Sequence, residues 1–194
     1  MKILLINNYQ QNNETATYEA LKAALIGHQV SIQRYKPGLQ FADKGQDLVI
    51  LSGGGGEGSE INDQYSHHKL WYEDQMEYIL SSNKPILGIC MGFEVIARAY
   101  GAKVIEMKDY ITGFRRIVST NTGQKSFNKK LLTQYENHRW HVPTVSAEQF
   151  KVLATSQTGV EIIKHKKRKI IAAQFHPEKG GTLKLDQLIS HTII

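Results

Sequence analysis

The chain has 194 residues, 41% of them apolar and 22% charged, the make-up of one ordinary globular domain with a real hydrophobic core. Its formal charge is +6, and its only cysteine is Cys90, which excludes an internal disulfide framework and a cysteine-rich zinc site and suits a reducing compartment. The opening MKILLINNYQQ carries an apolar run too short for a signal-peptide core or a membrane span, so a cytoplasmic location without membrane contact is expected.

Residues 2–7, KILLIN, read as a buried first strand. Residues 14–26 place apolar side chains at helical spacing, and Gly27 follows as a stop signal. QVSIQRY (29–35) alternates as a strand does, and DLVILS (47–52) is a buried strand that ends abruptly in glycines. WYEDQMEYILSSN (71–83) predicts an amphipathic helix with Trp71, Met76, Ile79 and Leu80 on its apolar face. PILGI (85–89) is another apolar strand, and FEVIARAY (93–100) a helix closed by Gly101. The order β-α-β-β-α-β-α predicts a parallel sheet with helices on both faces.

From 103 to 175 the character changes to β-like runs separated by turn signals, among them KVIEM, FRRIVST, FKVLATS, GVEIIK and KIIAAQF. Residues 182–194 predict a closing helix. No repeat, linker or boundary interrupts the chain, so residues 1–194 are expected to form one α/β domain. The basic run KHKKRK (164–169) is flanked by β-branched segments and reads as a solvated turn, not as a contact for nucleic acid.

Two glycine-containing stretches follow predicted strands. SGGGGEG (52–58) satisfies the G-x-G-x-x-G dinucleotide pattern through Gly53, Gly55 and Gly58, but the polar SEINDQYSHHK that follows lacks the required helix, strand and acid. A phosphate-binding P-loop is excluded by the absence of Gly-Lys-Ser/Thr. The run then reads as a turn, or as a loop whose bare backbone N–H groups approach a reacting atom.

GICMG (88–92) has the form of the G-x-S-x-G nucleophile elbow, with cysteine in place of serine. A strand over 85–89 enters a tight turn and then a helix from about 91. Gly88 and Gly92 leave room for the packing this requires, and the helix N-terminus favours the thiolate of Cys90. Near the C-terminus, KIIAAQF runs directly into HPEK (176–179). A histidine just past a strand end can serve as base to a thiol, and Glu178 can fix its tautomer. His67, His68, His138 and His141 lack this context, and exposed or structural roles are expected for them.

With Cys90, His176 and Glu178 assembled, the chain resembles the class I glutamine amidotransferases over nearly its whole length. The residues that carry the resemblance are ILLINNY, the loop after LVILSGG, the elbow LGICMG, the following GAKV and the terminal QFHPE. The resemblance implies a flavodoxin-like, open, mostly parallel sheet with helices on both faces and extra strands in the second half. It also implies a Cys90–His176–Glu178 triad that hydrolyses the glutamine side-chain amide through a thioester. Backbone N–H groups of Gly54 and Met91 would hold the oxyanion, Gly53 and Glu94 would lie at the substrate, and neither metal nor organic cofactor is needed.

Two positions depart from the family pattern. Glu94 stands where most members carry glutamine, and Gly55 where many carry proline. The Gly-Phe-Glu ending at 92–94 resembles the related γ-glutamyl hydrolases. A carboxylate at 94 can accept from a substrate ammonium, or it can be a first-turn acid favoured by the helix dipole. Three functions follow. The first is a glutaminase subunit that delivers ammonia to a separate synthetase or synthase. The second is a stand-alone γ-glutamyl peptidase, and the third a non-catalytic regulatory protein of the same fold, against which the intact triad argues.

Overall fold

The computed structural model describes residues 1–9, 16–55, 65–66 and 69–194. The expected start of the first helix at 14, the stretch around Gly58, and His67 and His68 lie outside the described residues.

Strand β1 (Lys2–Tyr9) runs into helix α1 (Ala16–Ala24), then β2 (Gln29–Arg34) and β3 (Leu48–Gly55). Two short strands, β4 (Tyr65–Ser66) and β5 (Lys69–Leu70), pair with each other before α2 (Glu73–Ser81). Next come β6 (Ile86–Ile89), α3 (Met91–Ala99), β7 (Ile105–Ser119), α4 (Asn121–Phe127) and β8 (Leu131–His141). The chain closes with β9 (Phe150–Thr155), β10 (Val160–His165), β11 (Ile170–Ala173) and α5 (Leu185–Ile193).

Among the described residues, nine strands form one sheet in the order β2-β1-β3-β6-β11-β10-β9-β7-β8. The pairs from β2 to β11 are parallel, and those from β11 to β8 antiparallel. Alternation along the parallel strands divides the core between two faces. Ile3 and Leu5 of β1, with Leu48 and Ile50 of β3, pack with Tyr18 and Leu21 of α1 and Leu185 and Leu188 of α5. Leu4, Ile6, Val49 and Leu51 face the opposite way, onto Ile79 of α2 and Phe93, Val95 and Ile96 of α3. Each such side chain, fully buried, contributes roughly 1.5–3 kcal/mol of transfer free energy.

Several expectations need correction. The strand read over 47–52 continues through the glycines to Gly55, where Asn8↔Gly54 and Tyr9↔Gly55 extend the pairing with β1 after a register shift. Leu80 is not on the buried face of α2 but about half exposed, and Gln75 is buried instead, donating to Asn8 Oδ1 at 3.0 Å. KVIEM and FRRIVST belong to one long strand, β7. The turn reading of KHKKRK agrees with the antiparallel β10–β11 pairing that flanks it. Within it, Arg168 donates to Tyr100 Oη at 2.6 Å and to the carbonyls of Leu80 and Ser82, which fastens the C-terminal end of α2.

Candidate active site

The parallel strands β1, β3, β6 and β11 deliver their C-terminal ends to one edge of the sheet, where open α/β sheets place their ligands. That edge carries Tyr9, Gly53, Cys90 and the turn that begins at His176. A methyl group built on Gly53 would lie 2.8 Å from Tyr9 Oη, 3.0 Å from His176 Cε1 and 3.4 Å from Cys90 Cβ. Gly53 is therefore the point at which these three side chains converge, and only glycine leaves that space open. Gly54 meets a different constraint, because a Cβ there would strike the Asn8 backbone oxygen at 2.5 Å.

Cys90 lies between β6 and α3 with φ 52° and ψ −109°, a conformation that costs a non-glycine residue on the order of 1–3 kcal/mol. Two features hold it there. Its N–H donates to the Ala173 carbonyl at 2.8 Å, which continues the β6–β11 pairing. The glycines on either side permit close approach: a Cβ on Gly92 would meet the Leu51 carbonyl oxygen at 2.3 Å, and one on Gly88 would meet the Gly92 carbonyl oxygen at 2.6 Å. The strand–turn–helix elbow expected from GICMG is present.

His176 follows β11 and is 2% exposed. Its Nδ1 lies 2.8 Å from Glu178 Oε1, across a 3-10 turn over Pro177–Lys179. Its Nε2 is enclosed and has no hydrogen-bond partner among the described residues. Strand β8, which the sequence does not announce, completes the wall. Its Tyr135 carbonyl accepts from the His176 N–H at 2.8 Å, and its Asn137 carbonyl accepts from the Cys90 thiol at 3.8 Å. Gln134 of the same strand clasps Leu183 in both directions, at 3.0 and 2.9 Å, and so anchors the segment after Glu178.

The electrostatics differ from expectation. Burial pushes the Cys90 thiol well above its ordinary value, and the charges of Glu94, Glu178 and Glu136 push the same way, while the Met91 amide opposes them. The helix terminus is thus outweighed, and burial with these charges disfavours the thiolate. Glu94, in the first turn of α3, is 8% exposed, and its Oε1 accepts from Gln174 Nε2 at 2.8 Å. Phe93 beside it is fully buried in the core.

His138, for which an exposed or structural role was expected, is buried: Nε2 lies 3.1 Å from Glu136 Oε2 and Nδ1 2.7 Å from the Trp140 carbonyl. His141 Nδ1 contacts the Thr158 carbonyl. Among the described residues no group of three or more His, Cys, Asp or Glu side chains is arranged to hold a metal ion. No described helix is long and apolar enough to cross a membrane.

The family model for glutamine amidotransferase class-I matches residues 4–194, and the chain belongs to that family. It is 31% identical over 189 residues to the glutamine-hydrolysing GMP synthase subunit of Methanosphaera stadtmanae, covering 94% of this chain and 91% of that protein. Anthranilate synthase component 2 of Helicobacter pylori is 25% identical, with 100% and 96% covered. Among solved structures, a GMP synthase subunit from Thermoplasma acidophilum superposes with a TM-score of 0.74 at 26% identity, covering 100% of this chain and 92% of that one.

Proposed function

We infer that this protein is a glutamine-hydrolysing subunit, a single amidotransferase domain that releases ammonia for a separate synthase partner, in the cytoplasm. The observation that carries the reading is the convergence of Cys90, His176 and Gly53 at one sheet edge, with His176 Nε2 unpartnered and its Nδ1 held by Glu178. The naming of its relatives as glutamine-hydrolysing and synthase subunits agrees with it.

In this reading His176 Nε2 takes the Cys90 proton as the sulfur attacks the carboxamide carbon of glutamine. Burial and the neighbouring carboxylates disfavour the thiolate, so a base is needed at that moment. The N–H groups of Gly54 and Met91 receive the oxyanion. Collapse breaks the C–N bond, His176 returns the proton to the departing nitrogen, and ammonia leaves. Water, deprotonated by His176, then attacks the γ-glutamyl thioester and frees glutamate and the thiol. Glu178 holds the imidazole in one tautomer throughout.

A diazoketone analogue of glutamine tests the assignment. It is expected to label the protein once, at Cys90, with glutamine protecting. A folded protein that hydrolyses glutamine but carries no adduct at Cys90 would overturn it. Hydrolysis of a γ-glutamyl dipeptide with none of free glutamine would favour the peptidase reading instead.

A further inference from the structure

Strand β8 reaches both reacting residues. Its Asn137 carbonyl accepts from the Cys90 thiol at 3.8 Å, and its Tyr135 carbonyl accepts from the His176 N–H at 2.8 Å. Tyr135 adds a contact through its side chain. Its ring stands 6.5 Å from the His176 imidazole, centroid to centroid, at an angle of 65°. The Lys179 Nζ lies over the same ring, 5.5 Å from its centroid. Tyr135 thus holds both ends of residues 176–179, the turn within which Glu178 Oε1 contacts His176 Nδ1. Phe114 of β7, its partner in the strand pairing, meets the Tyr135 ring at 5.6 Å and 78°.

A hydrogen bond at Nδ1 fixes one atom of an imidazole and leaves the ring free to swing about that contact. The swing matters here, because Nε2 on the far side has no hydrogen-bond partner among the described residues and yet must reach the sulfur. A second contact against the ring removes that freedom, and Tyr135 supplies one. Its hydroxyl has no comparable part. The Thr112 Oγ1 that it meets is exposed and 3.5 Å away, beyond the ordinary length of an O–H···O bond. The ring is therefore the part of Tyr135 that bears on the site.

We propose that Tyr135 is the positioning residue of the catalytic base: its ring, held by Phe114 and Lys179, keeps His176 Nε2 directed at Cys90 while Glu178 sets the tautomer. The proposal rests on the glutaminase reading and deepens it. It also gives Phe114, 56% exposed, a reason to be aromatic, since that side chain ties the β7–β8 hairpin to the base through one intervening ring.

Steady-state kinetics on glutamine test it. Tyr135→Leu keeps an apolar side chain without the ring, and its kcat is expected to fall about ten- to thirtyfold with KM within about twofold, because small displacements of a catalytic group are costly. Tyr135→Phe is expected to keep most of the wild-type kcat. The losses in Tyr135→Leu and Glu178→Gln are expected to combine to less than their product, because both act through one imidazole. Any of four results would overturn the proposal: a normal kcat in Tyr135→Leu, a loss confined to KM, losses that multiply, or Tyr135→Phe as slow as Tyr135→Leu. If Tyr135→Leu does not fold, Lys179→Met, which removes the ammonium from the ring, is expected to lower kcat about two- to fivefold at unchanged KM, and an unchanged kcat overturns the proposal. A wild type inactive on glutamine would overturn the glutaminase reading alone, and the imidazole nitrogen shifts of His176 then decide. One fixed tautomer in wild type and Tyr135→Phe, giving way to an average of two in Tyr135→Leu, keeps the positioning role; identical shifts in all three overturn it.

Discussion

Gln174 Nε2 donates to Glu94 Oε1 at 2.8 Å, joining the strand end that delivers His176 to the first turn of the helix that follows Cys90. Glu94 therefore has a partner inside the protein and acts on the sulfur through its charge. Glu94→Gln keeps an acceptor for Gln174 and removes that charge. Alkylation of Cys90 near pH 7 is expected to quicken about three- to tenfold, with the whole pH profile moved to lower pH. If the profile stays put while KM for glutamine rises about tenfold, a loss of about 1.4 kcal/mol, Glu94 grips the substrate instead.

His176→Ala is expected to lower glutamine hydrolysis by about 10²- to 10⁴-fold, the usual contribution of a positioned acid–base group. Glu178→Gln retains more activity, because it disturbs the imidazole's orientation and leaves the base in place. Steady-state glutamate release by both variants, with circular dichroism to verify folding, checks the order. Near-normal hydrolysis by His176→Ala would assign the base elsewhere, with His138 and His141 as the residues to test.

The glycines at the site divide by what they touch. Gly53→Ala places a methyl group against Tyr9 Oη and His176 Cε1, so activity is expected to fall steeply while the urea midpoint barely moves. Gly92→Ala drives a methyl into the Leu51 carbonyl of a central strand and is expected to cost about 1–3 kcal/mol of stability, as overpacking usually does. Denaturation curves paired with activity measurements distinguish the two. A Gly53→Ala variant with full activity would show that nothing binds in the space it fills.

The buried cluster behind β8 makes stability depend on pH. Folding raises Glu161 from the usual 4.5 to about 8, mainly by burial and then by the charge of Glu136. Burial alone would lower His138, but the hydrogen bond to Glu136 and the charges of Glu94 and Glu161 carry it above the usual 6.5. Both groups hold protons in the folded state that they release on unfolding, so stability falls as pH rises. For Glu161 the fall runs between about 4.5 and 8; for His138 it begins near 6.5 and ends above its raised value. Urea midpoints are expected to decline from pH 6 to pH 8, and Glu161→Gln to flatten that decline. An identical slope in Glu161→Gln would place the proton uptake elsewhere.

Short-range spacing along the chain encodes the local parts of the site. The strand–Gly–x–Cys–x–Gly–helix succession specifies an elbow, in which Gly88 packs locally on Gly92 and Ile96, whereas the Leu51 carbonyl that Gly92 must clear comes from β3. The two-residue step from His176 to Glu178 likewise specifies their contact. Helix α4 left a readable mark, Thr120, whose side chain caps Gly123 N–H at 3.1 Å. Strand β8 was obscured because its inward residues include Gln134, Glu136 and His138, so burial does not follow hydrophobicity there. The charge around the sulfur is set by the folded chain alone. Glu94, Glu136 and Glu178 come from separate segments, and their repulsion, added to desolvation, outweighs the helix terminus that GICMG advertises. Electrostatic energy depends on distance in space and on the loss of water, and neither is written in the order of residues.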